Sequence, residues 1–153
     1  MIKNRIEKDE AEHRTQLERR HESVSSKNMK ILGLNREKIQ KIIKSLSSSR
    51  AAQSTFIELM TDTAGRIGGT RLKCLKCDEE ITLEHMLIKC PEIQEERINA
   101  SVYDGNDGRW DYKTIRKDHK KLSYFMMESH HKIKKIINAT RIAYYKKKKR
   151  NAV

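Results

Sequence analysis

Proline is almost absent from this sequence: Pro91 is the only one in 153 residues. Turn-rich β architectures need breakers at most of their corners, so the lack of them points to helix. Long apolar runs are missing as well. No stretch reaches the roughly 18 apolar residues of a membrane span. The N-terminus is charged from Lys3 onward and lacks the apolar segment of a secretory signal, so none is expected. Cysteine is scarce and odd in number, three residues, which excludes a closed disulfide framework. With no signal, this points to a reducing, intracellular setting, where grouped cysteines mean metal. Apolar residues make up only 36%, no more than the charged ones at 36%. An ordinary domain carries roughly 45–50% apolar and about 25% charged residues. A large core is not expected, and a small core needs a staple such as a metal ion. No internal repeat is visible.

What is present is concentrated. All three cysteines fall within Cys74-Leu-Lys-Cys77-Asp-Glu-Glu-Ile-Thr-Leu-Glu-His85-Met-Leu-Ile-Lys-Cys90-Pro91. The spacing is C-x2-C-x7-H-x4-C, and Cys74, Cys77, His85 and Cys90 are the expected metal ligands. Zinc favours thiolate and imidazole in a tetrahedral array, and a C-x2-C turn offers two thiolates to one ion. Four protein ligands close the coordination sphere, so one structural Zn²⁺ is expected, with no open position to activate water. The competing readings are three buried thiols beside a helical histidine, and a redox C-x-x-C. The latter would need a βαβ pattern, and none surrounds it.

The flanks read as helix. Residues 1–26 form a charged arm, helical or disordered, whose Ser23 to Ser26 run reads as a linker. Residues 27–102 carry the helices and the knuckle. Asn35 caps a helix through Leu46, with Ile39, Ile42, Ile43 and Leu46 as one stripe. A second helix runs from Arg50 to Ala64, and Gly65, Gly68 and Gly69 turn the chain towards Cys74. The glycine segment lacks the Gly-Lys-Ser/Thr of a phosphate loop. Thr82 caps a short helix, Leu83 to Lys89. His85 and Cys90 are five apart and reach one metal only if that helix bends or ends before Cys90. Pro91 disfavours helix at Cys90 and opens the next helix, to Ala100. Residues 103–112 form a loop, and 113–153 a basic helical region. The predicted class is mainly α, a small helical protein built around one structural CCHC zinc knuckle, with charged helical or disordered tails.

Charge is divided along the chain. Between 74 and 100 there are seven acidic and three basic residues; from 101 onward there are fifteen basic and five acidic. The net charge of +13 makes a polyanion the expected partner, nucleic acid ahead of anionic lipid. The candidate contacts are Lys113, Arg116, Lys117, Lys120, Lys121, Lys132, Lys134, Lys135, Arg141, Lys146, Lys147, Lys148, Lys149 and Arg150. The Lys146 to Arg150 run has the composition of a nuclear localisation or nucleic-acid patch, which favours the nucleus over the cytoplasm. Tyr144 and Tyr145, with Trp110 and Tyr112 at the other end, offer stacking faces. Two catalytic readings are set aside. Asp104, Asp107 and Asp111 lack the matching Glu of a calcium loop and read as an exposed turn. His119, His130 and His131 near Glu128 read as solvated residues on a Lys-rich helix.

The run Cys74-x2-Cys77-Asp-x3-Thr82-Leu-Glu84-His85-Met-Leu87-x2-Cys90-Pro91-x5-Arg97 resembles the C-terminal zinc-knuckle region of non-LTR (LINE-like) retrotransposon reverse transcriptase polyproteins. The likeness covers about half the chain, and its specific part is the ligand set with Glu84, Pro91 and Arg97. It implies a nucleic-acid-contacting zinc segment that follows a polymerase. The polymerase's own Tyr-x-Asp-Asp motif does not occur here, nor does a nuclease carboxylate set. The expected function is a zinc-binding, non-catalytic nucleic-acid-binding module for RNA or DNA. The alternative is a zinc-stapled scaffold whose positive charge meets an acidic protein partner.

Overall fold

The computed structural model describes residues 24–103, 105 and 108–151. The N-terminal arm lies outside the described residues up to 23, as do Asp104 and Asp107. Residues 24–32 are helical (α1), so the last part of the expected serine linker is helix instead. The reason is tertiary: Asn28 donates from Nδ2 to the Met60 carbonyl at 2.9 Å, and Leu32 is fully buried. Docking of this kind outweighs the weak helix preference of serine. Gly33, at φ 63°, ends α1. The Leu34 N–H reaches back to Met29 O and the Gly33 N–H to Lys30 O, a left-handed helix stop that favours glycine.

Helix α2 (Arg36–Ser45) starts where the sequence places it, with Asn35 accepting from the Lys38 N–H at 2.8 Å. Helix α3 (Arg50–Met60) is capped by Ser49, whose Oγ accepts from the Ala52 N–H. It ends four residues before the expected Ala64. Asp62 adopts a left-handed φ of 61°, a conformation that aspartate tolerates better than most residues. There its carboxylate accepts from Arg71 at 2.8 Å and from the Arg66 Nε at 3.1 Å. Strands β1 (Arg66–Ile67) and β2 (Thr70–Arg71) then pair antiparallel about Gly68 and Gly69, a two-residue hairpin in which Gly68 takes a positive φ of 59°. Gly65 has a different task. A Cβ there would sit 2.0 Å from the Ile81 carbonyl oxygen, because residues 65, 72 and 81 are laced together by Leu72 N–H to Gly65 O and Ile81 N–H to Leu72 O.

Burial alone would raise the Asp62 carboxyl, but the Arg71 hydrogen bond and the Arg71 and Arg66 charges outweigh it. They hold the group below the usual carboxylate range. A carboxyl depressed on folding stabilises the protein above its unfolded-state value, and that contribution fades as pH falls through the folded-state value. Asp62→Asn is therefore expected to cost about 1–3 kcal/mol at neutral pH, since Asp62 is 7% exposed but its arginine partners are partly wet. Urea melts at neutral and acid pH check this: the wild-type advantage should shrink as pH falls.

After the knuckle come a 3₁₀ turn (Pro91–Ile93), α4 (Gln94–Ser101), α5 (Tyr112–Lys117) and α6 (His119–Asn151). The basic region is thus two helices. Asp118 is extended (φ −141°, ψ 93°) and its Oδ1 accepts from the Lys120 N–H, which separates α5 from α6. Helix α6 has 33 residues, about 50 Å at 1.5 Å per residue. Its apolar positions Leu122, Phe125, Met126, Ile133 and Ile137 recur at helical spacing and pack against α2, α3, α4 and α5. One core cluster joins them to Leu46, Phe56 and Leu59, and to Ile81, Met86, Leu87 and Ile93 of the knuckle. Each such fully buried side chain contributes about 1.5–3 kcal/mol. Among the described residues, no helix is long and apolar enough to cross a membrane.

Candidate metal centre

Each of the four predicted ligands is positioned by local backbone chemistry. Lys73 and Glu80 form an antiparallel bridge, and between them the chain makes a tight turn. In that turn the Cys74 N–H donates to Glu79 O at 2.7 Å, and the Asp78 N–H donates back to Cys74 O at 2.8 Å. Asp78 completes the turn at φ 58°. Thr82 acts as the expected cap, its Oγ1 accepting from the His85 N–H at 3.1 Å. From there the chain winds into a π-helical turn, His85–Lys89, in place of the expected α-helix. The Cys90 N–H reaches five residues back to His85 O at 2.7 Å. The wide turn brings two residues five apart onto one side, a problem that the sequence spacing raised and that an α-helix would not solve. Cys90 itself is extended (φ −63°, ψ 119°), as the succeeding Pro91 demands.

The outcome is a four-atom cage. One ligand atom from each of Cys74, Cys77, His85 and Cys90 lies within 4.8 Å of all the others. Cys77 Sγ and Cys90 Sγ are 3.7 Å apart. Two thiolates about 2.3 Å from a tetrahedral ion would be separated by about 3.8 Å. Cys74, His85 and Cys90 are buried. His85 Nδ1 lies 3.3 Å from Glu79 Oε2, and its Nε2 is buried with no hydrogen-bond partner among the described residues. A buried ring nitrogen without a partner is costly unless something coordinates it, and a carboxylate on the opposite nitrogen is how metal-bound imidazoles are held. Burial, reinforced by the neighbouring sulfurs, pushes the Cys77 thiol up to about 12. Burial likewise raises Cys90, against the pull of the Glu92 backbone N–H. Thiols raised in this way become thiolates most readily against a cation. The arrangement fits a closed, four-ligand metal site.

No family model, no curated protein and no solved structure matches the chain. The functional reading therefore rests on the geometry.

Two residues support the cage in a way the sequence reading does not give them. Arg97 is 3% exposed and lies under the π-helical turn. Its guanidinium donates to Leu87 O at 2.8 Å, Met86 O at 3.0 Å and His85 O at 3.3 Å. Trp110 adds its Nε1–H to Leu87 O at 2.7 Å while its ring packs on Phe125. In the sequence, Arg97 enters only through the resemblance around the cysteines, and Trp110, the only tryptophan, as a stacking face. Those are the only signals in the residues, and neither specifies a carbonyl partner.

The predicted phosphate-contacting residues divide into two groups. Lys121 is 2% exposed with its ammonium on Ser101 O at 2.8 Å. Lys132 pairs with Glu96 at 2.6 Å, and Lys134 with Glu58 at 3.0 Å. Arg116 donates to Ile31 O and Arg141 to Ala64 O. Lys113, Lys117, Lys120, Lys135, Lys146, Lys147, Lys148, Lys149 and Arg150 are exposed or half-buried at the surface. Lys148 sits 5.9 Å from the Tyr144 ring centroid. The histidines correct the expectation that all are solvated. His130 falls on the core face of α6 at 4% exposure, its Nδ1 3.0 Å from Met126 O, and His119 Nε2 lies 2.8 Å from Leu32 O. Asp111 caps α5, its Oδ1 accepting from the Thr114 N–H at 2.7 Å. That hydrogen bond is the main cause of its lowered pKa.

Proposed function

We propose that Cys74, Cys77, His85 and Cys90 hold one structural Zn²⁺, and that the stapled helices form a non-catalytic nucleic-acid-binding module. The ligand set is rich in thiolate, which suits zinc over hard cations. All four positions are filled by protein, so the ion orders the fold and leaves no site for water activation. The likeness of the cysteine stretch to the retrotransposon zinc knuckle supports the same reading.

The observation that carries the nucleic-acid part is the end of α6. Its last buried residue is Thr140, yet the helix continues to Asn151. Lys146, Lys147, Lys149 and Arg150 are exposed there, and among the described residues no carboxylate pairs with them. A helix that keeps such charge together is built to meet a polyanion. The knuckle, acidic by sequence, orients the helices, and the lysines meet phosphate. RNA and DNA both satisfy this chemistry, and the basic run suits a nuclear protein.

Replacing Lys146 to Lys149 with Ala is expected to weaken binding to RNA and DNA. Each phosphate contact contributes about 0.7–0.9 to the slope of log affinity against log salt, so the slope should fall by roughly 3–4. Fluorescence anisotropy at two salt concentrations measures it, and an unchanged slope removes this patch from the account. The second reading, a scaffold for an acidic protein, is favoured by the exposed Ile98 and Val102 one turn apart at the end of α4. It gains if nucleic-acid binding is absent even at low salt.

A further inference from the structure

A second basic feature lies away from the α6 tip. Helix α2 and the α5–α6 junction enclose a cleft of about 340 Å³. Lys38 and Lys41 line it from α2, and Lys117 and Lys120 from the junction. All four reach solvent. The one acid in the lining, Asp118, has its Oδ1 engaged by the Lys120 N–H at 3.1 Å. The cleft therefore keeps a strong positive balance.

The cleft does not stop there. A neighbouring one of about 280 Å³ shares Ser45, Lys120 and Ser123 with it, so the two form one groove. Ser45 Oγ and Ser123 Oγ, 2.9 Å apart, join α2 to α6 where the two clefts meet. At the far end Tyr103 stacks on Tyr124, with ring centroids 4.6 Å apart and planes at 28°. Tyr103 is 47% exposed. Four lysines leading to a stacked, half-exposed aromatic pair combine the two elements of single-strand recognition: charge along the backbone and a ring under a base. A duplex offers no free base face, so the tyrosines would be idle against it.

We propose that this groove is the path of a single nucleic-acid strand, with phosphates on Lys38, Lys41, Lys117 and Lys120 and one base stacked on Tyr103. It rests on the nucleic-acid reading above and specifies the strand form and the route.

The test uses the full-length, zinc-loaded protein with fluorescein-labelled oligo-U and oligo-T of about 15 nucleotides, within the site sizes such grooves cover, and a blunt duplex as comparison. The double variant Lys38→Ala/Lys41→Ala should lower the single-strand salt slope by about 1.4. Tyr103→Ala should weaken single-strand binding roughly 5- to 150-fold, and Tyr103→Phe should retain it. The duplex should respond little to either tyrosine change. The α2 lysines are exposed, so the double variant tests the groove even if Tyr103→Ala folds poorly. Wild-type affinity in both the lysine pair and Tyr103→Ala, alongside a loss in the Lys146–Lys149 variant, overturns the groove and leaves the module's function standing. A wild-type protein that binds neither strand form at about 50 mM salt overturns the nucleic-acid reading and the groove together.

Discussion

Chelating the metal from the purified protein is expected to unfold its middle. One zinc per chain should leave with the fold, and Cys77→Ser should have the same effect without a chelator. Structural zinc in short peptides contributes about 10–16 kcal/mol to folding, while whole domains are stable by only about 5–15 kcal/mol. The core depends on the site directly: Ile81, Met86, Leu87 and Ile93 are fully or nearly fully buried, and all lie between or beside ligands. Losing the cage releases them from Phe125, Ile133 and the rest of the cluster. The unmetallated site would also keep crowded, buried thiols and the partnerless His85 Nε2. Elemental analysis, circular dichroism and hydrogen exchange track the loss. An apo-protein with native spectra and native protection at 72–93 would sink the idea.

The second large effect is expected at Arg97. Arg97→Met should cost about 2–4 kcal/mol, because it leaves the Met86 carbonyl without its donor, His85 O with the Cys90 N–H alone and Leu87 O with Trp110 alone. The turn itself satisfies His85 O through the Cys90 N–H, and the planar guanidinium adds donors to His85 O, Met86 O and Leu87 O at once. Charge adds a second role. Three thiolates and one Zn²⁺ would leave one net negative charge in a buried place. Burial lowers the Arg97 pKa, while Cys90, Glu96 and Cys77 act in the opposite direction, which puts a compensating cation against the cage. Arg97→Lys retains the charge but not the fork and should recover less than half the loss. Urea denaturation reads the stability, and zinc competition reads the affinity. A methionine variant with wild-type values in both would show that the turn holds itself.

Much of the site is legible in the residues themselves, because cysteine spacing reports covalent reach. Cys74, Cys77, His85 and Cys90 come together as their intervals suggest, and Asn35 and Thr82 cap where short polar side chains precede apolar periodicity. What escapes is what depends on partners far along the chain. The end of α3 is set by Arg66 and Arg71 reaching back to Asp62, and no periodicity in 50–64 records that. The π-helical turn brings two candidate ligands five residues apart to face one point, a geometry that helix propensity does not encode. Lysine neighbours suggest a solvated His130, but the face of α6 is decided by Met126 and Ile133 on the core side. The Lys117 and Lys120 groove depends on α2 lying alongside, which a linear charge count cannot reveal.

Gly65 carries a consequence of another sort. It is neither a predicted ligand nor a charged residue, and it would be ranked as a plain loop residue by composition. Yet any other amino acid would drive its first side-chain carbon into the Ile81 carbonyl. The segment that leads out of α3 and the segment that leads into His85 run together there with nothing between them but hydrogen. That codon is therefore closed to every replacement, and a genetic screen for loss of metal binding should recover it alongside the cysteines.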